Sequence, residues 1–158
     1  MDKFALVKGN TIIIGLGNPI LSDDGVGWVI AQELAKTLKD EFQVTTASLA
    51  GFNLLDLLAG YERTFIVDAI QTKNGKAGDI YRLTPEDLQF SRRLASVHDI
   101  NLVTALELGK TLGLSLPKEI VIYAIEAQDT LTFAEKLSPP VEEAVPRVVK
   151  AILEELKQ

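Results

Sequence analysis

"TIIIGLGNPILSDDGVGWVIAQEL", Thr11 to Leu34, is the stretch whose reading decides the fold. It opens on Thr-Ile-Ile-Ile-Gly (11–15), a short β-branched run of the kind that forms a buried strand. From about Asp24 to Leu38, Val26, Ile30, Leu34 and Leu38 recur at four-residue spacing, with Gln32, Glu33 and Lys36 off that line. That is the period of an amphipathic helix. Between strand and helix lie Gly15, Gly17, Asn18, Pro19, Asp23, Asp24, Gly25 and Gly27, the composition of a tight strand-to-helix turn.

The same alternation continues outward. "QVTTASL" (43–49), "RTFIVDAI" (63–70), "AGDIYRL" (77–83) and "EIVIYAIEA" (119–127) read as strands. "FNLLDLLAG" (52–60) and "TPEDL" (84–88) read as short helices, the second with Pro at its first position. "DINLVTALELGKTLG" (99–113) is a helix capped by Asp99 and ended by Gly113, and "PPVEEAVPRVVKAILEELK" (139–157) a closing helix that Pro146 kinks or begins. Helices alternating with buried strands predict a three-layer α/β/α sandwich around a mostly parallel sheet of about five strands. "TIIIG" and "FIVDAI" are expected as interior neighbours ending at the same edge. No linker or repeat divides residues 1–158, so a single domain is expected.

In such sheets ligands bind beyond the carboxyl ends of the strands, which makes the polar residues there the candidates. The opening turn is a poor phosphate cradle. Gly15 and Gly17 fit a dinucleotide fingerprint, but Ile20 takes the third glycine position and Leu49 stands where a ribose-binding acid is wanted. No Gly-Lys-Ser/Thr follows for a Walker loop. One aspartate suffices to cap the helix, a role assigned here to Asp23. Asp24 is then left over. Asp68 follows Phe65-Ile66-Val67 at the end of a strand buried on both faces, a costly place for an unpaired charge. His98 is the only histidine, in a loop just before Asp99. Two carboxylates and one imidazole brought to one crevice could hold a divalent metal with open positions.

Bulk composition narrows the classes. The 158 residues are 47% hydrophobic and 24% charged, as in a globular domain. Asp+Glu outnumber Lys+Arg by 22 to 16, a net charge of −6 that argues against a nucleic-acid partner. There is no cysteine, hence no disulfide, thiolate ligand or thiol nucleophile. "MDKFALVKGN" lacks the features of a signal peptide, and no run approaches the roughly 18 apolar residues of a membrane span. A cytoplasmic protein is expected, without nucleic-acid or membrane partners.

"IIIGLGNPILSDDGVGWVIAQEL", "FIVDAI" and "SVHDINL", in that order and spacing, resemble the [NiFe]-hydrogenase maturation protease family, across nearly the whole chain including "LSPPVEEAVPRVV". The resemblance implies one α/β domain, a monomer, and an endopeptidase that removes a short C-terminal extension from the hydrogenase large-subunit precursor after nickel insertion. It places the family's metal-contacting acid on Asp24, its strand-end aspartate on Asp68 and its histidine on His98, with Gly15, Gly17, Asn18, Asp23, Gly25, Gly27 and Gly51 as supporting loop residues. It also implies that the nickel arrives with the precursor and is not a resident cofactor. Two departures bear on the choice of precursor: "SLAG" stands where many members carry "GGT" before the glycine matching Gly51, and Asn101 replaces a glycine three residues after the histidine. How the peptide bond breaks stays open between metal-polarised carbonyl, metal-activated water and a carboxylate base.

Two rivals use the same residues differently. A peptidyl-tRNA hydrolase also opens on a "GLGNP"-like loop, but it wants a histidine soon after and a basic surface, and this chain offers aspartates and net acidity. A nickel-checkpoint chaperone that binds the precursor without cutting it would carry the same side chains. Release of a C-terminal peptide separates protease from chaperone.

Overall fold

β1 (Thr11–Leu16) is buried along its whole length, paired with a strand on each side and covered by a hydrophobic core on each face. In the computed structural model, which describes residues 10–48, 53–90 and 97–158, it pairs in parallel with β2 (Gln43–Ala47) and β3 (Arg63–Ile70). β3 pairs in parallel with β5 (Glu119–Glu126), and β4 (Ile80–Leu83) closes the edge antiparallel to β5. The five strands run in the order β2-β1-β3-β5-β4. "TIIIG" and "FIVDAI" are therefore interior neighbours, as expected. Only β4 runs against the others, because no helix separates it from β3 in the chain.

Side-chain alternation builds two cores from this one sheet. On one face Ile13, Phe65, Val67, Val121, Tyr123 and Ile125 meet α1 (Val26–Leu38) and the closing helix α5 (Pro139–Leu156). The four-residue line Val26, Ile30, Leu34 and Leu38 is the buried stripe of α1. On the other face Ile12, Ile14, Leu16, Ile66 and Ile122 pack under α2 (Asn53–Leu58) and α4 (Val97–Thr111), through Leu54, Leu58 and Leu106. The short α3 (Pro85–Phe90) follows β4. The result is the expected α/β/α sandwich. α5 starts at Pro139 and runs through Pro146, which neither starts the helix nor ends it. Arg82 on β4 donates two bonds to Glu155 on α5, at 2.6 and 3.0 Å, and holds that carboxyl below its usual range. No described helix is long and apolar enough to cross a membrane.

Strand order reverses between β1 and β3, since β2 lies on one side of β1 and all later strands on the other. Such a switch point opens a crevice at the carboxyl ends of the two strands. α1 enters that crevice so closely that a Cβ on Gly27 would stand 2.4 Å from the main-chain oxygens of both Leu16 and Val67. Neither oxygen can move without disturbing the sheet. Gly27→Ala is therefore expected to cost roughly 3 kcal/mol, read as a lowered urea midpoint; an unchanged midpoint would show that α1 docks more loosely.

Candidate functional site

Three segments meet at the switch point: the turn after β1, the end of β3, and the loop between β5 and α5. The turn (Ser22–Gly25) is one turn of 3₁₀ helix ahead of α1, and all of its residues are buried. Ser22 is held in the left-handed region (φ 49°) by its N–H to Ala134 O, 2.8 Å, and by its hydroxyl to Lys136 O, 3.0 Å. The turn packs against β3.

Asp24 points its Oδ2 back over the loop, where it accepts the Asn18 N–H at 2.9 Å. Asn18 in turn accepts the Ile20 N–H through Oδ1 at 3.2 Å. The loop fits this closely because Gly17 has φ 136°, and a Cβ there would stand 2.0 Å from the Asp24 main-chain oxygen. Gly15 and Gly25 are spaced by backbone too, against Gly27 and Pro19 respectively. The glycine pattern thus serves close backbone packing within the turn and against α1. Asp24 is 5% exposed, so its carboxylate is largely out of water.

Asp68 departs from expectation in one respect. β3 continues two residues past it, with Ala69 and Ile70 paired to Ile125 and Glu126. Asp68 is thus inside the sheet, 4% exposed, with Oδ1 accepting the Ala69 N–H at 2.8 Å. Since Phe65, Val67 and Ala69 face the α1/α5 core, alternation turns Asp68 to the opposite face with Ile66. That is the face α4 covers. The backbone of His98 lies within α4. Val97–Thr111 is helical, so His98 is not in a loop ahead of the helix and Asp99 is not its cap. The His98 side chain and Gly51 lie outside the described residues. Among the described residues no three His, Cys, Asp or Glu side chains form a group able to hold a metal ion.

Asp23 requires a correction. Neither aspartate caps α1, whose N-cap is Gly25 with no side-chain bond. Asp23 is fully buried and accepts four bonds from the far end of the chain. The N–H groups of Gln128 and Asp129 reach Oδ2 at 2.9 and 3.0 Å, Ser138 N–H reaches Oδ1 at 2.7 Å, and the Ser138 hydroxyl reaches Oδ2 at 2.8 Å. Its own N–H donates to Asp129 O at 2.9 Å. Asp23 is a tether, and the segment it holds (128–138) escaped the sequence reading. Asp129 stiffens that segment further, its Oδ1 accepting Leu131 and Thr132 N–H at 2.9 and 3.0 Å. These bonds, led by one to the Thr132 side chain, hold the Asp129 carboxyl below its ordinary range.

Residues 29–155 match the hydrogenase maturation protease family, a span that begins just after the opening loop. The hydrogenase 2 maturation protease of Escherichia coli (strain K12) is 25% identical over 151 residues, covering 93% of this chain and 90% of that one. Among solved structures, the hydrogenase maturating endopeptidase HybD from E. coli superposes with a TM-score of 0.79 at 24% identity, covering 93% of this chain and 91% of that one. The [NiFe] hydrogenase maturation protease HybD from Thermococcus kodakarensis gives 0.74 at 26% identity, covering 94% and 99%.

Proposed function

The chain belongs to the hydrogenase maturation protease family, and from that premise we propose that it cuts the C-terminal extension from a [NiFe]-hydrogenase large-subunit precursor once nickel has been inserted. The observation that supports this reading is that Asp24, in the turn after β1, and Asp68, near the carboxyl end of the neighbouring β3, are both buried carboxylates. His98 is assigned as the third member, from its position on the helix covering Asp68's face of the sheet. Two oxygen donors and one imidazole suit a divalent transition ion. They lack the thiolates or multiple imidazoles that hold a resident zinc tightly. The set therefore suits an ion presented by the substrate, so that a precursor without metal gains nothing by docking there. We also assign the reaction to the cytoplasm.

In this reading the carboxylates have two duties. They orient the metal-bearing end of the precursor, and one of them accepts a proton from the attacking water as general base. The Asn18 N–H to Asp24 bond fixes the carboxylate's direction before substrate arrives. The test is a processing assay with chelated, desalted protein. A nickel-loaded precursor should release its C-terminal peptide, detected by mass spectrometry, and a metal-free precursor should resist even with zinc or magnesium added. Equal cutting of both precursors, or activity regained only after zinc is returned to the protein, would make this an ordinary metalloprotease. Binding without any peptide release would favour the checkpoint chaperone.

A further inference from the structure

Leu131 and Phe133 are 84% and 80% exposed, yet the loop that bears them is pinned by bonds to Asp129 and Asp23. An isolated exposed apolar side chain asks for no explanation; adjacent ones on a pinned loop do. Asp23 holds the loop's start at Gln128 and Asp129 and its end at Ser138. The parallel bridge between Leu21 and Ala134 secures the middle, with Ala134 N–H donating to Ile20 O at 2.9 Å. In that register Ile20 and Phe133 are neighbours, and Ile20 is itself 45% exposed. A slack loop would fold these side chains against the surface. This one holds them out in water, beside the turn that carries Asp24.

We propose that Ile20, Leu131 and Phe133 form an apolar platform that binds an apolar segment of the precursor polypeptide. The proposal rests on the precursor-processing reading above. Continuity with the site selects the occupant: Ile20 belongs to the same loop as Asp24, and Leu131 and Phe133 belong to the segment Asp23 ties to that loop. An endopeptidase acting on a folded precursor must grip chain on either side of the bond it cuts, and a carboxylate pair supplies no such grip. The platform gives the protein an affinity for the polypeptide that does not depend on metal, so that metal decides cutting and the platform decides which chain is held.

The test compares wild type with the double variant Leu131→Ser, Phe133→Ser, and with Leu112→Ser as a control, since Leu112 is exposed just past the far end of α4 from His98. The probe is a purified nickel-loaded precursor, with binding read by calorimetry in an Asp24→Asn background and processing read as KM and kcat. The double variant should raise Kd and KM by about tenfold or more, with kcat and the urea midpoint held, and Phe133→Ala alone should give part of that loss. Leu112→Ser should change neither. Unaltered Kd and KM in the double variant would overturn the platform while leaving the processing reading intact. If wild type neither binds nor cuts the precursor, the processing reading falls and the platform with it. Concentration-dependent self-association of wild type, lost in the double variant, would assign the patch to a second copy and also overturn the proposal.

Discussion

Asp24→Asn should yield a folded protein that no longer releases the C-terminal peptide. The amide keeps an oxygen for the Asn18 N–H now bonded at 2.9 Å, and it occupies almost the same volume in the turn. Stability should therefore change by about 1 kcal/mol or less. Charge and basicity are what disappear. A neutral amide oxygen holds a cation far more weakly than a carboxylate does and accepts no proton from water, so the rate should fall on the order of 10² to 10⁴-fold. Asp68→Asn should behave alike, because its bond to the Ala69 N–H can also be kept by an amide oxygen. The pair makes a stronger test than either change alone. If the carboxylates work as one site, the double variant should be scarcely slower than the slower single variant. Single-turnover processing of nickel-loaded precursor, beside urea melts of each variant, supplies both measurements. A variant that cuts at the wild-type rate would remove its aspartate from the site.

Most of the frame was legible because it is written in local periodicity. The Ile13, Ile30 and Ile66 patterns declare a buried strand, an amphipathic helix and a doubly buried strand without reference to anything distant. The switch point follows from connection rules once those elements are in order. Asp24 was legible by subtraction, as a carboxylate beyond what a helix cap needs. The premise of that subtraction fails in the structure: Asp23 does not cap α1, and its bonds run to residues more than a hundred positions away. No local rule reports such a partner. The segment Gln128–Ser138 was opaque for the same cause, since its order comes from long-range bonds rather than from periodicity. Asp68 was found as a buried strand acid, but continued pairing of Ala69 and Ile70 with β5 sets it deeper in the sheet than a strand end.

Asp23→Ala should be among the most damaging single changes in the protein, and its size distinguishes a tether from a cap. A helix cap is worth about 1 kcal/mol. Removal of the Asp23 carboxylate strands the N–H groups of Gln128, Asp129 and Ser138 and the Ser138 hydroxyl together. Around a fully buried position they cannot all regain water without the loop peeling away. Each donor left without an acceptor costs about 1–3 kcal/mol. Relaxation of the loop returns part of this, so a net loss of at least about 3 kcal/mol is expected. Asp23→Asn should recover only some of it, because its amide nitrogen would face a donor at one of the two oxygen positions. Amide hydrogen exchange locates the damage. Protection at Gln128, Asp129 and Ser138 should collapse well before that of β1 and β3, since the sheet does not depend on this carboxylate. Processing should fall along with it, as the Ser22–Gly25 turn loses the partner that fixes Asp24's neighbour. A loss near 1 kcal/mol with exchange unchanged at those three amides would mean that the segment is held by its own contacts, with Asp23 a bystander.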